Sequence, residues 1–375
     1  MATTTLDPLV DALATDRDLG PQIVHRAYLP GHPSRFAEPQ HPLPEALRRG
    51  LVSLGVERLW SHQAEGLDVL RAGGDVLVTT PTASGKSLVF QVPILEQALL
   101  GGDARALFLF PLKALGQDQR AKLDRLAAAC GLDPELDGAA IYDGDTPRAA
   151  RERIRAAPPR VLISNPDMLH AGMLRHGASW APLFSHLRYV VLDELHTYRG
   201  IFGCHFHHVL QRLLRQCHRH GANPQLVASS ATAANAAEFA RTLTGRTMHE
   251  IAQSGAPRQG RHFLLLQPAT SPYTTALHLL TAFLRAGLKT IVFTKARRIT
   301  ELLHSWLADK EPELARRVAN YRAGFLAEER RQIERDLFEG RLTGVIATSA
   351  LEMGIDVGGL DACILVGFPG SMMAT

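Results

Sequence analysis

Residues 75–88 read DVLVTTPTASGKSL: an apolar run, Val76–Val78, enters a tight turn that ends on Gly85-Lys86-Ser87. A turn of this kind, followed by a helix, aims backbone N–H groups at one point and attracts anionic oxygens there. Thr82, Ala83, Ser84 and Gly85 form the cradle. Lys86 adds a mobile positive charge for the β- and γ-phosphates of ATP, and Ser87 offers a hydroxyl to Mg²⁺. Thr80 stands where the usual pattern begins with Gly. Residues 189–196, YVVLDELH, supply the other half of a phosphoryl-transfer site. An apolar strand delivers Asp193 and Glu194 to its C-terminal end, Asp193 to hold Mg²⁺ and Glu194 to orient and deprotonate an attacking water. His196 has no metal-ligand partner at useful spacing and reads as a coupler between the nucleotide and the next hydroxyl-rich strand end, Ser229-Ser230-Ala231-Thr232. There Ser230 and Thr232 suit a hydrogen-bond relay.

These groups need a scaffold that brings several strand ends to one edge. Short apolar runs recur at Val76–Val78, Ala106–Phe110, Val161–Ser164, Tyr189–Leu192 and Gln225–Ala228, each bounded by turn residues. Consecutive apolar positions of this length are the signature of strands buried on both faces of a parallel sheet. Between them lie helical stretches such as Phe206, Val209, Leu210, Leu213, Leu214 and Cys217, spaced as one helix face. The pattern predicts an open α/β sheet with its ligand at the C-terminal ends of the strands. Residues 1–55 read as an N-terminal extension, broken by Pro30, Pro33, Pro39, Pro42 and Pro44 before a short helix at 45–54. The first α/β domain covers 56–252, and 253–260 (QSGAPRQG) reads as a linker. A second α/β domain covers 261–375, with strands at 262–266, 289–294, 344–348 and 361–366 and a helix bearing Leu326, Ile333 and Leu337. Two such units in tandem leave a cleft in which ligands commonly bind.

Composition narrows the class. A chain of 375 residues with 46% hydrophobic content supports two packed cores, and a net charge of +4 is compatible with nucleic acid. No apolar run reaches membrane-spanning length and the first residues lack a secretory pattern, so a cytoplasmic location is expected. The four cysteines, Cys130, Cys204, Cys217 and Cys363, show no C-x-x-C spacing. Cys204, His205, His207, His208, Cys217, His218 and His220 cluster in sequence, but Cys217 falls on the apolar stripe and the histidines scatter round the helix. Zinc is not expected there. Trp60 suits either stacking on adenine or the core.

Taken together, these stretches resemble the motif set of superfamily 2 helicases of the DExH kind. HQAEGLDVL at 62–70 resembles the adenine-recognising glutamine motif, with Gln63 as reader. TPTASGKS, DELH and SSAT resemble motifs I, II and III. FPLKALGQDQ (110–119), YDGDTP (142–147) and SNPDMLH (164–170) resemble the strand-contacting motifs, which implies nucleic-acid contacts by Pro111, Lys113, Gly144, Asp145, Thr146, Asn165 and Pro166. Such contacts grip phosphates without reading bases. IVFTKARR (291–298) and ATSALEMGIDVGGLD (347–361) resemble motifs IV and V. The likeness implies strand contacts by Thr294 and Thr348, and places Gly354 and Asp356 beside the nucleotide.

The fold so implied is two tandem RecA-like domains with parallel sheets. The wording YRAGF, SALEMGID and GFPGS is most similar to a branch of bacterial mitomycin-repair helicases and RecQ-related fungal enzymes. That branch implies ATP-driven, three-prime to five-prime movement on single-stranded DNA in repair. An arginine-finger motif, expected after GFPGS, does not follow before Thr375. The second domain is therefore expected to be incomplete at its C-terminus and turnover to be weak. Two alternatives stand beside the DNA helicase: an RNA helicase of the DEAD type, and a non-catalytic, ATP-gated nucleic-acid-binding fragment.

Overall fold

The structure is a computed structural model, and it describes residues 3–111, 113–230, 235–321, 325, 327–348 and 359–368. In chain order the strands are β1 (Ile23–Leu29), β2 (Val76–Val78), β3 (Arg105–Leu109), β4 (Ala139–Ile141), β5 (Val161–Ser164), β6 (Leu187–Leu192), β7 (Gln225–Ser229), β8 (His249–Ile251), β9 (Arg261–Leu266), β10 (Thr290–Phe293), β11 (Val318–Tyr321), β12 (Gly344–Ala347) and β13 (Ala362–Leu365). The chain divides into two compact units, one of residues 32–258 and one of 1–31 with 259–375.

The unit of residues 32–258 holds a seven-stranded sheet ordered β4-β5-β3-β6-β7-β2-β8, with every pairing parallel. Its strands alternate between two apolar layers. Val76 and Val78, Ala106 and Phe108, and Tyr189 and Val191 enter one core; Leu77, Leu107 and Leu109, and Val190 and Leu192 enter the other. Both faces are apolar, so the period of two disappears into continuous runs. Backbone hydrogen bonds join the strand ends: Asp193 N–H to Leu109 O (3.2 Å), Phe110 N–H to Ser164 O (3.0 Å) and Ser230 N–H to Val78 O (3.0 Å). The loops after β2, β3, β5, β6 and β7 therefore share one edge.

The order of the sheet matters for chemistry. β7 lies between β2, which carries the phosphate loop, and β6, which carries the acid pair.

In the other unit, β11-β12-β10-β13 form a parallel sheet. One face packs under Leu277, Leu280, Leu303 and Leu307; the other, bearing Ile291, Tyr321 and Val345, packs under Leu337. The expected strand at 262–266 exists, but not in this sheet. β9 pairs antiparallel with β1, Phe263 opposite Ala27 and Leu264 opposite Arg26. Leu264 and Leu266 turn to the core, whereas Phe263 and Leu265 are exposed. This alternation is that of a sheet with one wet face, not of a doubly covered one.

The first 55 residues are divided between the units. Helix Thr3–Thr15 and β1 join 259–375 through buried Leu13, the Asp7–His262 ion pair (2.6 Å) and the pairing of β1 with β9, while Arg26–Asp11 (2.7 Å) ties β1 to the helix. Residues from 32 onward belong with the seven-stranded sheet, including helix Glu45–Ser53 with buried Leu47 and Leu51. Both precede or follow the run of prolines, which is where regular structure stops.

Candidate active site and strand-facing loops

The phosphate loop rises from β2 and descends into the helix Ser87–Leu99. Thr82 and Ala83 are exposed at its crest; Thr80 and Ser84 are buried beneath, their hydroxyls 2.6 Å apart. The loop turns through two left-handed residues, Ala83 (φ 59°) and Gly85 (φ 68°). Gly85 has a second reason to be glycine, since a Cβ there would come within 2.8 Å of the Trp60 ring and 2.7 Å of the Gln63 amide. Trp60 thus lies against the loop.

Gln63, the expected adenine reader, uses its side chain inside the protein. Its Nε2 donates to Gly85 O (3.0 Å) and its Oε1 accepts from Trp60 N–H (2.9 Å). His62 beside it is fully buried, and its Nε2 lies 2.8 Å from Ser84 O. Two consecutive side chains thus hold two consecutive carbonyls of the loop.

Lys86 is where the three strands converge. Its Nζ donates to Thr80 O (2.9 Å) and to Ser230 O (3.1 Å), from β2 and β7 respectively. Burial pushes its ammonium pKa down, against the pull of Glu194 and Asp193. Asp193 accepts the hydroxyl of Ser229. The hydroxyl that meets the acid is therefore Ser229, one residue before the expected coupler; Ser230 contributes its carbonyl to Lys86 instead. Thr232 lies outside the described residues. Ser87 opens the helix, whose first amides have no intrahelical partner and face the loop.

Glu194 adopts a left-handed backbone (φ 50°). For a residue other than glycine this costs about 1–3 kcal/mol and tends to persist at functional sites. The Thr197 hydroxyl (2.8 Å) and amide (2.9 Å) hold its carbonyl, and His196 Nδ1 lies 3.3 Å from its Oε2. Burial pushes both carboxyls up, and Asp193 adds repulsion at Glu194, relieved in part by Lys86. Burial pushes His196 down, so its imidazole is held neutral.

Ionising the acid pair therefore costs stability. Because Asp193 titrates above its unfolded value, the favourable protonated form is present at low pH and lost as pH rises through the raised pKa. Asp193→Asn is accordingly expected to melt at a higher temperature than the wild type at pH 8 without nucleotide, with the difference vanishing below pH 4. Thermal melts across that range check it.

The strand-facing loops form a second cluster on the same edge. Asp143, buried, accepts from Asp145 N–H (2.9 Å) and the Thr146 hydroxyl (3.1 Å). Arg151 ties the loop down through Asp143 O (2.9 Å), Gly144 O (3.0 Å) and Thr146 O (2.8 Å). Lys113 and Asp145 form an exposed ion pair at 2.6 Å, worth little in water and easily exchanged for a phosphate. Asn165 caps the short helix after it through Met168 N–H (2.9 Å), with Pro166 buried at its first position. Lys113, Asp143 and Asn165 line one pocket with Phe110. Pro111 is half-buried.

In the other unit, Thr294 and Thr348 follow the neighbouring strands β10 and β12, Thr294 N–H donating to Ala347 O (2.8 Å) and Thr348 N–H to Tyr321 O (3.2 Å). Both threonines are buried. Gly354 and Asp356 lie outside the described residues. His62 and Ser229, which the sequence did not single out, make contacts with the phosphate loop and the acid pair; the local signal was a polar residue on an otherwise buried helix face or strand end.

A phosphate loop on one strand and an acid pair two strands away, on a parallel sheet, define a P-loop nucleotide-binding core. A DEAD/DEAH box helicase domain matches residues 60–239 and a helicase conserved C-terminal domain matches 274–375. The chain belongs to the superfamily 2 helicases, with two RecA-like domains. It is 38% identical to the ATP-dependent helicase YprA of Bacillus subtilis over 88% of this chain and 46% of that protein. It is 34% identical to the ATP-dependent helicase HRQ1 of Saccharomyces cerevisiae over 98% of this chain and 35% of that protein. Among solved structures, the DUF1998 helicase MrfA bound to DNA is similar at 35% identity and a TM-score of 0.92, over 98% of this chain and 53% of that one. The chain thus spans about half or less of the length of these relatives. Among the described residues no helix is long and apolar enough to cross a membrane.

Proposed function

We propose that this chain is the motor core of an ATP-dependent DNA helicase that moves three-prime to five-prime on single-stranded DNA in repair. The observation that carries the reading is the convergence at Lys86, whose ammonium is fixed between the β2 and β7 strand ends beside the Asp193–Glu194 pair. Two part-buried carboxylates with one lysine near them leave an excess of negative charge. A divalent cation fits that deficit, with Ser87 and Asp193 to hold it. Bound Mg²⁺ would supply charge neutralisation on the phosphates of ATP.

The chain's own residues do the rest. Lys86 binds the β- and γ-phosphates. Gln63 and His62 hold the loop in its cradle shape. Glu194, its carboxyl raised by burial, accepts the proton of the attacking water, and neutral His196 fixes that carboxylate's orientation. The loops bearing Lys113, Gly144–Thr146 and Asn165 grip strand phosphates, and Thr294 and Thr348 are assigned phosphate contacts in their own unit. We assign the nucleotide-binding half to 56–252 and the C-terminal half to 261–375. DNA is preferred over RNA because the relative named MrfA was solved with DNA and shares 35% of its sequence.

Unwinding assays on DNA and RNA duplexes with single-stranded tails test this. Only the DNA duplex with a three-prime tail is expected to be separated, and only with ATP. Equal separation of RNA, or preference for a five-prime tail, would overturn the assignment.

A further inference from the structure

His62 does more than hold the phosphate loop. Its Nδ1 accepts a hydrogen bond from Gly255 N–H (3.1 Å), so the ring proton sits on Nε2 and is donated to Ser84 O (2.8 Å). One buried, neutral imidazole therefore bridges the phosphate loop and a segment 193 residues beyond His62 itself, and burial keeps it neutral by lowering its pKa.

The far segment is the one by which the chain leaves this unit. The chain passes between the compact units twice, at 31/32 and at 258/259. On the side of residues 32–258 the two passages run side by side. His32 and Arg258 exchange both backbone hydrogen bonds (2.8 and 3.0 Å), and Arg35 N–H donates to Gly255 O (2.7 Å). Gly255 is packed so closely that a Cβ would meet Arg35 O, Ser61 Oγ and Ser61 N at 2.5–2.6 Å. Ser61 N–H in turn donates to Arg35 O (2.8 Å), immediately before His62. Movement of the His62 ring has little slack to be absorbed before it reaches the paired passages.

We propose that His62 is a positioning residue that transmits the state of the phosphate loop to the paired passages around Gly255 and Arg35. Phosphates that fix the loop fix Ser84 O. The imidazole then fixes Gly255, and the pairing of 32–35 with 255–258 tightens. The proposal rests on the loop binding ATP, and the test separates the two claims.

Hydrogen exchange is measured on the full chain with and without Mg²⁺ and a non-hydrolysable ATP analogue, in the wild type, His62→Asn and His62→Gln. Asn can present an acceptor where Nδ1 lies but no donor at Nε2; Gln can present a donor at Nε2 but no acceptor at Nδ1. In the wild type the analogue is expected to slow exchange at least about fivefold both in 80–90 and in 252–260. In both variants, compared at analogue concentrations that saturate each protein, the response of 252–260 is lost. A merely structural histidine would instead alter exchange in 252–260 equally with and without analogue.

A response of 252–260 that persists in both variants, or is absent in the wild type while the loop responds, overturns the coupling alone. No response of the wild-type loop overturns the ATP reading and the coupling together. Should the variants fail to fold, ¹⁵N-glycine labelling of the wild type decides: the Gly255 amide resonance shifts on titration with the analogue, in step with Gly85, or the proposal falls.

Discussion

Glu194→Gln is expected to lower the single-turnover rate of ATP hydrolysis by about 10²–10⁴-fold, the range for loss of a positioned general base. The amide matches the carboxyl in shape, so the left-handed backbone, the Thr197 clamp on its carbonyl and the approach of His196 are all kept. What goes is the ability to take a proton. Affinity for an ATP analogue should change by less than about tenfold, because removing a charge that repels Asp193 also eases anion binding. Rapid-mix hydrolysis and equilibrium binding of a labelled analogue separate the two effects. A rate within a few-fold of the wild type would mean that another group activates the water.

Lys86→Ala is expected to weaken ATP binding by more than about 100-fold, or about 3 kcal/mol, since truncating one partner of a buried charged contact costs about 2–5 kcal/mol. Two losses combine. The β- and γ-phosphates lose their cation, and Asp193 and Glu194 lose the one lysine that offsets their burial. Lys86→Arg should not rescue. The Nζ site is built for a compact donor between Thr80 O and Ser230 O, and a planar guanidinium does not fit a point-charge site. Isothermal titration of the three proteins checks both statements.

The parts of the fold that were legible in the sequence are those where one physical signal dominates. Val76–Val78 and Val161–Ser164 are strands at the expected limits because both faces of the sheet are apolar there. The strand that carries the acid pair and the phosphate loop were legible because glycine, lysine and paired acids at strand ends have few other uses. Ala139–Ile141, His249–Ile251 and Val318–Tyr321 went unseen: each has only three or four residues, small or polar ones among them, too short for a pattern. β1 reads IVHRAYL, with His25 and Arg26 at its centre on a half-exposed ribbon, and only its pairing with β9 makes it a strand. The division of the first 55 residues follows from that pairing; the prolines mark only where regular structure stops.

At the site, the long-range links were invisible for the same reason. Ser229 meets Asp193, and Ser230 meets Lys86, because β7 lies between β6 and β2, a fact of topology rather than spacing. His62 and Gly255 gave no more hint, since neither the buried imidazole nor the crowded glycine departs from ordinary local sequence.

If nucleotide bound at Lys86 governs the grip on a nucleic-acid strand, affinity for the strand follows the state of the nucleotide site. Fluorescence anisotropy of a labelled single-stranded DNA, titrated with this chain with and without Mg²⁺ and a non-hydrolysable ATP analogue, tests it most directly. The predicted result is an affinity that the analogue shifts by about 5–150-fold, the usual size of coupling between two sites, and that Lys86→Ala makes indifferent to nucleotide. DNA binding of equal strength with and without analogue in the wild type would contradict the claim.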